Sequence, residues 1–491
     1  ASLTKTYPND TYFDWAPNIT QGPKAWTITT GSNSDTLGII DVDQFNQNHA
    51  DLENNYSGVF GGTNTLGTTN WHGTGCASHA CAELNNNAGI SGAAGGWGST
   101  KGILWMPYRI NSTAANVTAV SWMVNNNACV ITQSALYLAT PEILEDAYAS
   151  ALASDVLTFA AAGNDNNDVA TNMWPAYFDC VIGVGGIDNF GRHWAWDDTT
   201  GSCYGDWVDI TAPADAHWTC TATGYDGGSG GTSWATPRTA GIAALVVNYR
   251  NIRGEALKEV ILRTADASDH LNQNLYSYGA NPYGLTGHGR VSAYEAIMVQ
   301  DRNVSVNWVA ASSGFNPYVN CYDQYLDFDA QDATYGRHSH GLVPYIAVTP
   351  KAMVQNRGKT AESFYVTATS TGYSSTKLVS GLASGEGVIV EFDPFTPGTN
   401  GSYTLTVTAN LTGDQNTNND DFSINLTCSY TDTLQCDGGD WNVQYTDAWA
   451  GLGNIFYTRP SVYAQGIAGR YWPHNKRRSK YSGVFIGHMD L

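Results

Sequence analysis

Five short apolar runs, "LGII" (37–40), "ILWMPYRI" (103–110), "ACVIT" (128–132), "VLTFAA" (156–161) and "CVIGVGG" (180–186), recur along the first 300 residues with helix-patterned stretches between them. Runs of this length without polar alternation, bounded by Gly, Asn and Asp, are what strands buried on both faces of a parallel sheet require. The expected fold of residues 1–300 is therefore α/β, a mainly parallel sheet flanked by helices. Such sheets place their chemistry at the carboxyl ends of the strands, so the polar residues that follow each run are the ones to examine.

After residue 345 the periodicity changes to two. In "YTLTVT", 403–408, Tyr403, Leu405 and Val407 are expected to face a core and the threonines solvent. With "SFYVTAT" and "GVIVEF", separated by Gly, Pro and Asn turns, this is the pattern of an antiparallel β-sandwich. The expected organisation is an α/β unit over 1–300, a connecting region over 301–344, a β-sandwich over 345–428 and a region of unassigned fold over 429–491.

Asp41 follows "LGII" directly and so stands at the carboxyl end of a buried strand, where a carboxylate needs a donor or a cation. His72 opens "HGTGCASHACAEL", a helix candidate whose Gly73, Gly75, Ala77 and Ser78 keep one face small. Ser233 lies in "GGTSWATPRTAG", read as a tight turn entering a buried helix, with Pro237 in its first turn, where a missing N–H costs nothing. A helix N-terminus there offers free backbone donors to developing negative charge. Asp, His and Ser in this chain order match one of the known orders of the catalytic triad.

On these residues the chain resembles the subtilisin-like serine proteases. "HGTGCAS" and "GTSWATP" are similar to that family's His and Ser signatures, and "AAAGN", 160–164, to the segment that carries its oxyanion-hole Asn. "DWAPNITQGPKAW", "NNNAGISGAAGG" and "GHGRVSAYEAI" resemble its mature N-terminus, the loop after the His helix and the terminal helix. The resemblance implies an endopeptidase in which Ser233 attacks, His72 takes the proton, Asp41 orients the imidazole, and Asn164 with the Ser233 N–H binds the oxyanion. It also implies a pocket for the residue before the scissile bond, lined by Ser134, Ala135 and Leu136 on one side and Ala161, Ala162 and Gly163 on the other. Cys76 resembles the buried free thiol of the proteinase K branch. One departure is the run Asp41-Val42-Asp43, where the family has Ser or Thr and then Gly after its Asp; Asp43 is the runner-up for the triad acid.

The formal charge of −21, from 23 Lys plus Arg against 44 Asp plus Glu, argues against a polyphosphate partner, so no nucleic acid is expected, and no apolar run has the length of a membrane span. The partners expected are polypeptide substrates, with residues 301–491 available for a surface, a polymer or self-association. The composition and the Ala1 start fit a processed, secreted chain, and most of the nine cysteines are expected in disulfides. No organic cofactor is expected. Structural calcium is a candidate at "DNNDV" (165–169), at the loop 85–92 and at Asp323, Asp327, Asp329 and Asp332, none with EF-hand spacing; His338 and His340 are a weak zinc pair. Two rival classes stand beside the protease: a subtilase-shaped structural or adhesion protein, and an esterase.

Overall fold

A computed structural model describes residues 5–136, 142–168, 173–189, 191–267, 285–311, 341–342, 347–428, 433–435, 442–444, 456–459 and 463–467. The chain divides into two compact units, one formed by Ala1–Asp301 with Arg357–Lys359 and Ser384–Glu386, the other by the remaining residues.

The first unit is built on seven strands: β1 (Thr36–Asp41), β2 (Gly61–Gly62), β3 (Leu104–Arg109), β4 (Ala128–Gln133), β5 (Leu157–Ala161), β6 (Val181–Ile187) and β7 (Ile210–Pro213). They lie in the order β2-β3-β1-β4-β5-β6-β7, every pairing parallel. Each of the five apolar runs is one of these strands. Every residue of β4, β5 and β6 is buried, which is why none of them alternates. The chain leaves β1 toward β3 on one side and returns to β4 on the other. Asp41, the last residue of β1, therefore stands at the crevice where the strand order reverses.

Helices α1 (His72–Cys81), α2 (Thr113–Asn125), α3 (Glu142–Ala153), α4 (Thr232–Arg250) and α5 (Gly254–Arg263) flank the sheet. α4 is buried nearly all round, from Thr232 to Val247 apart from Ser233, as befits the central helix of a large core. α1 packs closely on it because its face is small: a Cβ on Gly75 would lie 2.7 Å from the Trp234 ring.

The second unit holds β8 (Val304–Ala310), β9 (Gly341–Leu342), β10 (Lys351–Asn356), β11 (Glu362–Ser370), β12 (Tyr373–Leu382), β13 (Gly387–Glu391), β14 (Gly401–Asn410) and β15 (Asp421–Cys428). Two sheets, β8-β10-β13 and β9-β15-β14-β11-β12, enclose one apolar core that includes Val304, Val354, Phe364, Val366, Leu405 and Val407. All pairings are antiparallel except that of the short β9 with β15. Along β14, Leu405, Val407 and Ala409 are buried and Tyr403 is half-buried, as the period of two requires. Four short antiparallel strands between 433 and 467 form a separate small sheet.

Two expectations are corrected. Pro237 is not in the first turn of its helix, since α4 begins at Thr232 and Pro237 is its sixth residue. The expected disulfides are absent among the described residues: Cys76, Cys81, Cys129, Cys180, Cys203, Cys220 and Cys428 are all free thiols. All but Cys180 are buried, and burial pushes Cys129 up to about 12 and Cys180 up to about 11.

Candidate active site

Asp41 is fully buried, and its two carboxylate oxygens have different tasks. Oδ1 accepts from the backbone N–H of Asp43 at 2.9 Å, and Oδ2 lies 2.8 Å from Nδ1 of His72, the first residue of α1. The carboxylate thus fixes a proton on His72 Nδ1 and leaves Nε2 as the free lone pair. Burial works against a charged imidazole, but the Asp41 carboxylate and its hydrogen bond override it and hold His72 well above 6.5. Asp43 does not compete for this place: its Oδ1 accepts from Asn70 Nδ2 at 3.2 Å.

One helical turn beyond His72, Cys76 Sγ lies 3.4 Å from Asp41 Oδ2, 3.8 Å from His72 Nδ1 and 3.5 Å from the Ser233 carbonyl oxygen. Burial pushes this thiol up, so it stays protonated and serves as a donor. The Ser233 carbonyl needs such donors because of Pro237. In a helix the carbonyl of residue 233 bonds to the N–H of residue 237, and proline has none. Ser134 Oγ, 3.0 Å away, and Cys76 Sγ take its place, tying the start of α4 to the exit of β4 and to α1. The Ser-to-Pro interval of four residues was the sequence signal for this bracing.

Asn164 follows β5. Its Oδ1 accepts from both the N–H and the hydroxyl of Thr232, each at 2.9 Å, and Thr232 Oγ1 in turn accepts from Gly163 N at 3.2 Å. The amide oxygen is thus held twice, which fixes the orientation of Nδ2. The amide lies beside Gly231, whose φ is +155° and where a Cβ would stand 3.4 Å from Nδ2 in ordinary contact; a side chain at 231 would be strained by the backbone alone. Ser134, Ala135 and Leu136 leave β4, and Ala161, Ala162 and Gly163 leave β5, its parallel neighbour. Ala135, Ala161, Ala162 and Gly163 are buried, and Leu136 is exposed. Sequence reasoning missed Cys203 and Met173, whose sulfurs would stand 3.2 Å and 2.4 Å from a Cβ at Gly163; nothing in the local sequence of either points to this neighbourhood.

The profile of the Subtilase family matches residues 32–279, half of the chain, and spans Asp41, His72, Asn164 and Ser233. The chain belongs to the subtilase family. It is 31% identical over 301 residues to a thermophilic serine proteinase of Bacillus sp. (strain AK1), covering 59% of this chain and 69% of that one. It is 30% identical over 300 residues to thermitase of Thermoactinomyces vulgaris, covering 59% and 99%. Among solved structures, a protease from Pseudoalteromonas arctica superposes with TM-score 0.49 at 22% identity, over 60% of this chain and 99% of that one. By the family match and the two sequence relatives, the chain carries a subtilase serine protease domain.

For metal ions, the one His/Cys/Asp/Glu cluster of ligand geometry among the described residues of this subtilase is Asp41, His72 and Cys76, which already bond to one another. No helix of the described residues is long and apolar enough to cross a membrane. At the loop 85–92, Asp51 accepts from Ile90 N at 2.8 Å and Asn86 Nδ2 at 2.9 Å, and Asp10 from Ser91 Oγ at 2.6 Å and Asn86 N at 3.0 Å. Burial pushes Asp51 up to about 7 and Asp10 up to about 6. In "DNNDV", Asn166 bonds to His193 and to the Asp197 carbonyl. Asp323, Asp327, Asp329, Asp332, His338 and His340 lie outside the described residues.

Proposed function

We propose that this subtilase is a secreted serine endopeptidase acting through Asp41, His72 and Ser233, with Asn164 and the Ser233 N–H as the oxyanion hole. The observation that carries the reading is the 2.8 Å bond from His72 Nδ1 to the buried Asp41 carboxylate, at the head of a helix packed on the one that bears Ser233. His72 Nε2 accepts the Ser233 proton as Oγ attacks the scissile carbonyl, and the imidazolium formed is stabilised by Asp41 and returns the proton to the leaving amine. Asn164 Nδ2, oriented by the doubly held Oδ1, donates to the oxyanion. Ser134, Ala135 and Leu136 with Ala161, Ala162 and Gly163 line the pocket before the scissile bond. Residues 1–300 carry the chemistry and no organic cofactor enters it; 345–428 act as an accessory domain, and 301–491 serve contacts to a surface, a polymer or another copy.

A calcium ion fits the loop 85–92. The carboxylates of Asp10 and Asp51 are hard oxygen ligands, and no cationic side chain bonds to either among the described residues. Asp10 and Asp51 would hold the ion, whose effect would be on stability.

Digestion of casein with and without a serine-directed fluorophosphonate tests the proposal. Casein cleavage that the reagent abolishes is expected. Folded protein that neither cleaves casein nor takes up the reagent would favour the structural rival, and hydrolysis confined to short esters would favour the esterase.

A further inference from the structure

In the second unit, the turn between β14 and β15 holds several buried polar atoms that no hydrogen bond among the described residues meets. Asp414 anchors the turn, with Oδ1 accepting from Asn416 N at 2.7 Å and Oδ2 from Val304 N at 2.8 Å. Asn416 is 2% exposed, and neither its amide oxygen nor its nitrogen has a partner among the described residues. Asn303, next to the Val304 that Asp414 holds, is 1% exposed, and its Oδ1 is also unmet. Oδ1 of Asp420 is the third such buried oxygen. Burial, with Asp414 and Asp421 close by, pushes the Asp420 carboxyl up to about 7. The neighbouring cation, Arg302, acts on Asp414 through its charge but gives its hydrogen bonds to Glu362, whose two carboxylate oxygens each lie 2.8 Å from Nε or Nη2.

Folded proteins rarely leave several buried acceptors in one turn without something to meet them. A water molecule supplies two hydrogens but does nothing for the repulsion between the neighbouring carboxylates of Asp414 and Asp420. A cation meets both needs, and ligands that are oxygen only exclude the thiophilic and imidazole-seeking metals. Because no protein hydrogen bond fixes the Asn416 amide, its oxygen is free to turn to an ion.

We propose that the turn 414–420 is a binding site for a divalent cation of the calcium class, held by carboxylate oxygens of Asp414 and Asp420 and amide oxygens of Asn416 and Asn303, with water completing the shell. The irregular arrangement and the number of potential ligands suit calcium better than magnesium, which demands near-octahedral geometry. The ion pins the β14–β15 turn to the first residues of β8.

The test uses full-length protein with Ser233→Ala to stop self-digestion, stripped with chelator, then followed by hydrogen-exchange mass spectrometry with and without millimolar calcium chloride. Peptides covering 411–421 are expected to exchange about tenfold more slowly with calcium and less so with magnesium. In the further variant Asp414→Asn/Asp420→Asn that protection is expected to vanish, with one calcium ion fewer per chain by equilibrium dialysis. Calcium bound at the loop 85–92 protects other peptides and leaves this readout unaffected. Exchange of 411–421 that calcium does not change, or protection that survives in the folded double variant, overturns the site. Should the double variant not fold, the parent's exchange alone decides.

Discussion

Replacing Asp41 by Asn has a consequence that the hydrogen bonds around this carboxylate allow to be worked out. The side chain must still face two donors, the Asp43 N–H at 2.9 Å and His72 Nδ1 at 2.8 Å. An Asn satisfies the first with its carbonyl oxygen and then presents Nδ2 to the imidazole. The Nδ2 hydrogen seeks the lone pair of Nδ1, so the imidazole proton moves to Nε2, the atom that must accept the Ser233 proton. Flipping the amide restores the tautomer but sets its NH2 against the Asp43 N–H, leaving a buried donor unmet at about 1–3 kcal/mol, and it also loses the carboxylate charge that stabilises the imidazolium. Together these costs predict a fall in kcat of about 10⁴-fold, or about 5.5 kcal/mol. Asp43→Asn keeps an acceptor for Asn70 Nδ2 and is predicted to change kcat by less than about threefold, a surface hydrogen bond being worth about 1 kcal/mol or less. The assay is steady-state hydrolysis of a tripeptide anilide by both variants, with circular dichroism to establish folding. The His72 pKa, held above 6.5 mainly by Asp41 against the opposing effect of burial, also predicts that the parent's kcat/KM rises with pH through a pKa above 6.5. A folded Asp41→Asn enzyme within tenfold of the parent, or an Asp43→Asn enzyme that loses more, would mean that Asp41 is not the group that sets the His72 tautomer.

Asn164→Ala is expected to lower kcat by about 10²–10³-fold with little change in KM, the range known for loss of one such donor in subtilisin; a loss confined to KM in steady-state kinetics would mean a binding role instead. Ser134→Ala removes one of two donors to the Ser233 carbonyl and is expected to cost about 1 kcal/mol of stability and several-fold in kcat, read by urea melts and anilide kinetics; no change in either would show that the brace is idle. Asp51, raised by burial from 3.8 to about 7, keeps its proton when folded and loses it when unfolded between those values. Stability without calcium should therefore fall as pH rises from about 4 to about 7, by at most about 4 kcal/mol. Asp51→Asn should flatten that fall in chelator-treated urea melts, and an unchanged slope would mean the carboxyl is charged in the fold.

The parts of this account legible in the sequence are those that depend on neighbours along the chain. Strands buried on both faces need unbroken apolar runs, so all five could be read directly, and Asp41 was marked by its place at the end of one. The small residues of "HGTGCAS" announced a close helix contact, though not that Trp234 would fill it. What stayed hidden depends on contacts far apart in sequence. Nothing local says that Asp43 turns to Asn70, that the Ser233 carbonyl is met from Ser134 ninety-nine residues away, or that the described cysteines stay free thiols. The misplacement of Pro237 has a local cause: a proline after a serine reads as a helix start, and only the observed start at Thr232 makes it an interior residue.

The most direct test of the central claim is intact-mass and peptide analysis after brief exposure to a fluorophosphonate. One adduct per chain is expected, mapped to Ser233, formed rapidly by the parent and at least about 10³-fold more slowly by His72→Ala. An adduct on another residue, or labelling of Ser233 at the same rate in folded His72→Ala protein, would contradict it.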